Sequence, residues 1–382
     1  MKSIRFKYCY SNEKGKLPKK LFEVDGLGKQ PYLTMDCIRT GKPDFYASEG
    51  LFVSKNSTCL LWDGANAGEI FVSPIDGILS STCAILQSNS KIHDRMSFWY
   101  AKYCEFILRD NTNGMGVPHV DGEFLANIKL PIHNLEKQKN IGEYLDKKCR
   151  LIDELISQEK SAILELEKYK DQLIFDLTST GETNKIKYIF DYIGSGSTPD
   201  SNNSSYYDGD INWIQSGDLY KKSIISEVKS KITIRGFKSS PSLRLLKPPF
   251  IVIAMYGASI GNIAISQIDA CSNQACCSLS YIDKKYNLSY VYYCLYAGKQ
   301  RMLKMAEGGT QPNINKQIIQ NFVIKAPSLL EQNRIASFLN DKCCKIGDLI
   351  KTKETKIELL ELYKKSLIYE CVTGKKEAPY AN

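Results

Sequence analysis

The sequence predicts an α+β protein: two mixed α/β domains, each followed by a long helix, the two helices pairing antiparallel as a coiled coil in a pseudo-two-fold internal repeat. Three observations predict it. Residues 130–177 and 326–371 are two versions of one segment, aligned without a gap at an offset of 194 from Gln138 and Gln332 onward. Ile141 thereby matches Ile335, Leu145 matches Leu339, Cys149 matches Cys343, Ile152 matches Ile346, Tyr169 matches Tyr363 and Leu173 matches Leu367. Both copies hold apolar residues at helical spacing for about 40 residues. The segments ahead of them also align, as short β-rich runs punctuated by turn residues. A chain that repeats itself once over its whole length folds as a two-fold object.

In chain order this gives a first domain over 1–131, a helix over 132–180, a second domain over 181–327, a helix over 328–378 and a tail, 379–382. Gly15–Pro18 (GKLP) matches Gly196–Pro199 (GSTP), Trp62–Gly68 (WDGANAG) matches Met255–Gly261 (MYGASIG), and Gly114–Val120 matches Gly308–Ile314. The offsets, 181 then 193 then 194, place one insertion of 12 residues in the second domain. Strands are expected in FIVIAMYG (250–257), GNIAIS (261–266) and CCSLSYI (276–282), and helix within 289–308. Pro131 and Pro327 stand just ahead of the long helices, where proline is tolerated, and neither helix contains one.

At a rise of about 1.5 Å per residue each helix spans roughly 60 Å. That exceeds what one small domain covers, so the natural partner of each apolar stripe is the other copy. In an antiparallel pair equivalent residues meet only near the midpoint. Glu159 and Lys353 are such equivalents, oppositely charged, and are expected to approach there and fix register. As an exposed pair they would contribute under about 1 kcal/mol.

Composition bounds the function. Of the 382 residues, 43% are hydrophobic and 24% charged, as in ordinary globular protein. The N-terminus MKSIRFKYCY has no apolar core and no uninterrupted apolar run of membrane-spanning length occurs, so a cytosolic protein is expected. The 13 cysteines are scattered with no C-x-x-C, and His93, His119 and His133 are the only histidines, so no zinc site is expected; the thiols read as reduced, mostly buried small hydrophobes. The formal charge of +9 mildly favours a polyanion partner.

Two motifs suggest an enzyme. DYIGSGS (191–197) resembles a glycine turn for S-adenosylmethionine, and KPPF (247–250) resembles the Asn-Pro-Pro-aromatic loop of DNA adenine methyltransferases. That loop needs an acceptor for the adenine amino group, and Lys247 offers only donors. No acidic ribose partner follows the glycine turn in a βαβ context. All three histidines lie in the first half, so no histidine-based site is duplicated, and no P-loop is present.

The repeated loops are polar. In the second domain they offer Ser197, Thr198, Gln215, Ser216, Tyr256, Asn273, Gln274, Thr310, Gln311, Asn313 and Lys316; in the first, Lys16, Thr34, Asp36, Asp63, Asn66, Ser80–Thr82, Val117 and His119. Asn and Gln bond bidentately to adenine, and Lys or Arg to guanine, while hydroxyls and backbone amides steady phosphates. Taken singly each reads more readily as a turn or cap residue than as a base contact. Shared frames carrying different polar side chains are what two readers of different base sequences require. Lys221, Lys222, Arg235, Lys238, Lys299, Arg301 and Lys304 are phosphate candidates that read equally as solvated surface charge.

In EQNRIASFLNDK and IELLELYKKSLIYECVTGK of the second helix, their counterparts in the first, and GSGSTP, YYDGDINWIQSGDL and GGTQPNINK, the chain resembles specificity subunits of type I restriction-modification systems over its full length. The first domain departs more, with LPKK for TPDS and GVPHV for TQPNI. The resemblance implies a non-catalytic DNA-binding subunit whose two target recognition domains each read one half of a split, asymmetric double-stranded DNA target. It also implies helices that set the spacing and dock two modification subunits, with restriction subunits joining that core. S-adenosylmethionine, ATP and Mg would then sit on those partners, with no metal or cofactor in this chain. Three other readings stay open. A lone methyltransferase would modify DNA without partners, a stand-alone regulator would bind a split site and change transcription, and a coiled-coil adaptor would not need divergent polar loops.

Overall fold

The computed structural model describes residues 2–111, 118–220, 222–307 and 312–378. The expected site residues Thr310 and Gln311, with Val117 and Lys221, lie outside the described residues. The chain divides into two compact units, Met1–Lys160 with Glu354–Asn382, and Ser161–Lys353. Both boundaries fall inside the long helices, so each unit holds one α/β domain and part of each helix.

In the first unit, β1 (Lys2–Arg5), β2 (Tyr10–Lys14), β3 (Gln30–Leu33), α1 (Met35–Thr40), β4 (Tyr46–Ala47), β5 (Phe52–Val53), β6 (Thr58–Leu61), β7 (Ile70–Val72), β8 (Gly77–Leu79), β9 (Cys83–Ser88), α2 (Asp94–Leu108), α3 (Gly122–Asn127) and β10 (Lys129–Ile132) lead into α4 (Leu135–Leu177). One sheet has the order β2-β9-β6-β7, a second β4-β3-β8-β5, and β1 pairs with β10 as a ribbon. Strand β6 lies between two neighbours, and its alternating side chains enter different cores. Leu60 packs with Met96, Tyr100 and Leu145, whereas Cys59 and Leu61 pack with Leu33 and Leu79.

In the second unit, β11 (Glu182–Lys185), β12 (Phe190–Ser195), β13 (Tyr207–Ile214), β14 (Ile224–Ile225), β15 (Lys231–Ile232), α5 (Ile234–Lys238), β16 (Phe250–Ala254), β17 (Ile263–Ser266), β18 (Cys271–Ser272), β19 (Cys276–Ile282), α6 (Leu288–Ala297), α7 (Lys299–Lys304), α8 (Lys316–Asn321) and β20 (Val323–Ala326) lead into α9 (Leu329–Thr373). The main sheet, β12-β19-β16-β17-β14, repeats the order of the first unit's with one strand added; β15-β13-β18 forms the smaller sheet and β11-β20 the ribbon. Strand β16 is buried throughout, with Ile251 and Ile253 on one core and Phe250, Val252 and Ala254 on the other. The helical stretch expected within 289–308 is two helices. The turn between them needs Gly298, because a Cβ there would meet the Phe322 ring at 2.3 Å.

Within the first unit α4 and α9 run antiparallel. Ile141, Leu145, Cys149, Ile152 and Ile156 share a buried cluster with Leu367, Ile368, Cys371 and Val372. Lys356 Nζ donates to Glu159 at 2.6 Å and Lys364 Nζ to Asp153 at 2.7 Å. Glu159 thus accepts from a lysine of α9 that belongs to its own unit. Within the second unit Ile174 shares a cluster with Ile335, Ala336 and Leu339. A fully buried leucine of this kind contributes about 1.5–3 kcal/mol.

The same amide staple fixes the start of each long helix. Gln138, fully buried, accepts from His93 N at 2.8 Å and donates to His133 O and Lys91 O. Its equivalent Gln332 accepts from Asn287 N at 2.9 Å and donates to Pro327 O and Lys285 O. Each ties its long helix to the loop before α2 or α6, and leaves no buried amide atom unmatched.

Neither enzyme-like motif has an enzyme's setting. Gly194 lies inside β12, opposite Ser278 of β19, so no helix N-terminus opens behind it. Lys247 pairs with Asp269 at the surface, and Phe250 is buried at the head of β16. Among the described residues no cluster of potential metal ligands occurs, and no helix is long and apolar enough to cross a membrane.

Candidate nucleic-acid interface

Parallel pairing brings two polar loops together at the strand ends of one sheet in each unit. In the first unit β3 and β8 run parallel, with Leu33 opposite Leu79, so Thr34 and Ser80 emerge side by side. In the second unit β13 and β18 do the same, with Ile214 opposite Ser272, so Gln215 and Asn273 emerge together. Both leading strands then enter a short helical turn. Thr34 caps α1 by accepting from Cys37 N at 3.1 Å, and Gln215 N donates to Asp218 Oδ2 at 2.9 Å.

A third loop, the turn between β6 and β7, is built identically in the second unit between β16 and β17. Gly68 N donates to Leu61 O and Gly261 N to Ala254 O, each at 2.8 Å, and both glycines have positive φ, 92° and 73°. Trp62 N reaches Thr82 O and Met255 N reaches Ala275 O, each at 2.7 Å. The segment leading into α3 or α8 is stitched on in the same way, through Val120 N to Trp62 O at 2.9 Å and Ile314 N to Met255 O at 2.8 Å.

The glycines of GKLP and GSTP serve a fourth contact. A Cβ at Gly15 would lie 2.3 Å from Ser80 O, and one at Gly196 only 1.6 Å from Ser272 O. Only glycine lets the strand end pass so close to that loop.

These frames carry different side chains. In the first unit a cleft is lined by Tyr32, Thr34, Arg39, Asp63, Asn66 and Ser80–Thr82. The structure thus brings together Thr34, Asn66, Ser81 and Thr82 of the expected residues. Asp36 and Lys16 are exposed outside that lining, and exposed His119 is bridged to the Asp63 backbone. Asp63 accepts from Lys14 Nζ at 2.6 Å, and Asn66 Oδ1 accepts from Arg109 at 3.3 Å. Tyr32, whose hydroxyl accepts from Ser81 N at 3.3 Å, Arg39, Lys14 and Arg109 were not singled out by the sequence. Arg109 is distant in sequence and reaches the cleft only through the packing of α2. The offset marked the repeated turns, so Lys14, one residue ahead of GKLP, was the nearest to a visible signal.

In the second unit Thr198 donates to Gln274 Oε1, and the Gln274 side chain also meets the Tyr256 hydroxyl, whose pKa is raised by burial. Ser197 O accepts from Trp213 Nε1 at 3.1 Å, Ser216 opens a 3-10 turn, and Asn273 Oδ1 accepts from Ala275 N at 3.1 Å. Asn313 pairs its backbone with Glu307, and exposed Lys316 opens α8. Of the phosphate candidates, Lys222, Arg235, Lys238 and Lys304 are exposed. Lys299 instead donates to Asn262 at 2.7 Å with its pKa lowered by burial, while Arg301, also exposed, lies 4.4 Å from the Phe322 ring centroid.

The family model for the type I restriction modification DNA specificity domain matches this chain twice, over residues 7–165 and 179–359. The chain belongs to that specificity family. Each match spans one α/β domain and most of the helix after it, the same unit that repeats in the sequence. The type I restriction enzyme MjaVIII specificity subunit of Methanocaldococcus jannaschii is 29% identical over 95% of this chain and 89% of its own length. The MjaIX specificity subunit of the same organism is 32% identical over 50% of this chain and 44% of its own length. Two solved structures share the specificity-family fold. One is a chain from work on complex assembly and conformational transition of the type I R-M system, with a TM-score of 0.75, 14% identity and 98% of both chains covered. The other is the HsdS subunit from Thermoanaerobacter tengcongensis, with a TM-score of 0.50, 15% identity, and 98% of this chain and 97% of that chain covered.

Proposed function

We propose that this chain is the non-catalytic specificity subunit of a type I restriction-modification complex in the cytoplasm, and that each α/β domain reads one half of a split, asymmetric DNA target. The observation that carries the reading is the repeated backbone frame of the polar loops, on which Asp63, Asn66, Ser81 and Thr82 of one unit give way to Tyr256, Ser259, Gln274 and Ala275 of the other. Shared hydrogen bonds hold the loops in one geometry, while different donors and acceptors select different base edges. The paired helices would keep the half-sites at fixed separation, as protein spacing sets half-site geometry elsewhere in DNA recognition. Their shared apolar pattern and register suit two copies of one adenine methyltransferase subunit, which would supply S-adenosylmethionine chemistry and recruit restriction subunits that use ATP and Mg.

Exposed Lys222, Arg235, Lys238 and Lys304 would add sequence-independent affinity that falls steeply with salt. Mapping N6-methyladenine across the genome with and without the gene tests the function. One split motif disappears from the deletion strain if the reading is right; an unchanged methylation map refutes it.

A further inference from the structure

The first unit's cleft holds a carboxylate where a DNA-facing surface would ordinarily avoid one. Asp63 lines it beside Thr34, Asn66, Ser81 and Thr82. A carboxylate accepts hydrogen bonds and donates none, and facing phosphates it is repelled unless its charge is balanced. Lys14 balances it at 2.6 Å. Both side chains stay substantially exposed, at 43% for Lys14 and 32% for Asp63, so the pair does little for stability.

The backbone around Asp63 is held on two sides. Asp63 N donates to Thr82 O at 3.2 Å, Gly64 N donates to Pro118 O at 2.9 Å, and residue 63 bridges to His119. Asn66 is fixed in turn by Arg109, which sits 3.8 Å from Glu105 on α2 and occupies the amide oxygen of Asn66. That leaves an acceptor at Asp63 and an amide donor at Asn66 on one rigid turn. In the second unit the equivalent of Asp63 is Tyr256, engaged with Gln274. The two turns therefore offer different chemistry from one frame.

We propose that Asp63 is the specificity-determining residue of the first domain and accepts the exocyclic amino group of an adenine or cytosine in the major groove, with Lys14 and Arg109 as positioning residues. Carboxylates are established partners of the cytosine amino group, and adenine presents its amino group beside an N7 acceptor suited to the Asn66 amide. The proposal rests on the proposed function, in that the cleft faces DNA.

The test maps N6-methyladenine motifs in cells whose chromosomal copy carries Asp63→Ala, Asp63→Asn, Lys14→Ala or Lys14→Arg. Asp63→Ala should make one position in one half of the motif degenerate, admitting other bases tenfold or more above wild type, with the other half unchanged. A fixed adenine or a fixed cytosine at that position in the wild-type motif separates the two sources of the amino group. Asp63→Asn keeps the shape of the turn and should shift preference at that same position. Lys14→Ala should lower the extent of methylation without changing the motif, and Lys14→Arg should restore it. An unchanged, fully methylated motif in both Asp63 variants, or degeneracy in both halves, would overturn the proposal while leaving the proposed function standing. A wild-type strain with no split motif would instead remove the function itself.

Discussion

At the scale of single residues, the thiols and His133 show how burial governs chemistry. Eleven of the 13 cysteines are buried, Cys343 is intermediate and Cys344 exposed. Burial pushes the Cys59, Cys149, Cys271 and Cys277 thiols up to about 12, so they hold almost no thiolate at neutral pH. Alkylation of the native protein should therefore label Cys344 first, with the buried thiols reacting only on unfolding; peptide mapping by mass spectrometry reads the order. His133 shares a 3.0 Å hydrogen bond between Nε2 and Val372 O, and burial lowers its pKa below the ordinary 6.5. The folded state then binds a proton less readily than the unfolded chain, so His133 favours folding above pH 6.5 and opposes it as the pH falls below that value. Chemical denaturation at pH 7.5 and 5.5 should show the loss, and His133→Gln should flatten that part of the slope.

Among the elements, the long helices and their staples form the frame. Replacing Gln332 by Leu leaves Asn287 N, Pro327 O and Lys285 O without their side-chain partner, at about 1–3 kcal/mol for each group kept from water. Gln138→Leu should cost a similar amount in the other unit, since His93 N, His133 O and Lys91 O lose theirs. Calorimetry or urea titration of the two variants gives the comparison, and a loss below about 0.5 kcal/mol in both would remove the staple from the account. The helices were legible because heptad-like apolar spacing is local, and Pro131 and Pro327 mark where they cannot begin earlier. The staples were not read, although Gln138 and Gln332 anchored the alignment, because a buried glutamine looks like a surface one until its partners are seen. Sheet order was equally hidden. The offset between repeats said that the two sheets match and nothing about which strands are neighbours.

Over the whole molecule, the repeat explains which parts stay alike and which do not. Backbone hydrogen bonds recur at Gly68 and Gly261, at Trp62 and Met255, and at Val120 and Ile314, so the frame is duplicated to the level of single contacts. The side chains it presents are not duplicated. Loops rich in polar residues were visible in the sequence. Which of them converge depended on parallel pairing of β3 with β8 and of β13 with β18, a long-range property. Tyr32 and Arg39 line the first cleft and Arg109 reaches Asn66 through the packing of α2, whereas Lys299 is half-buried against Asn262 despite its charge. The central claim is that one frame carries two independent readers. Replacing residues 183–326 by the second domain of another family member, then mapping N6-methyladenine, tests it most directly. The account predicts that one half of the split motif changes and the other half stays as it was; a change in both halves, or in neither, would contradict it.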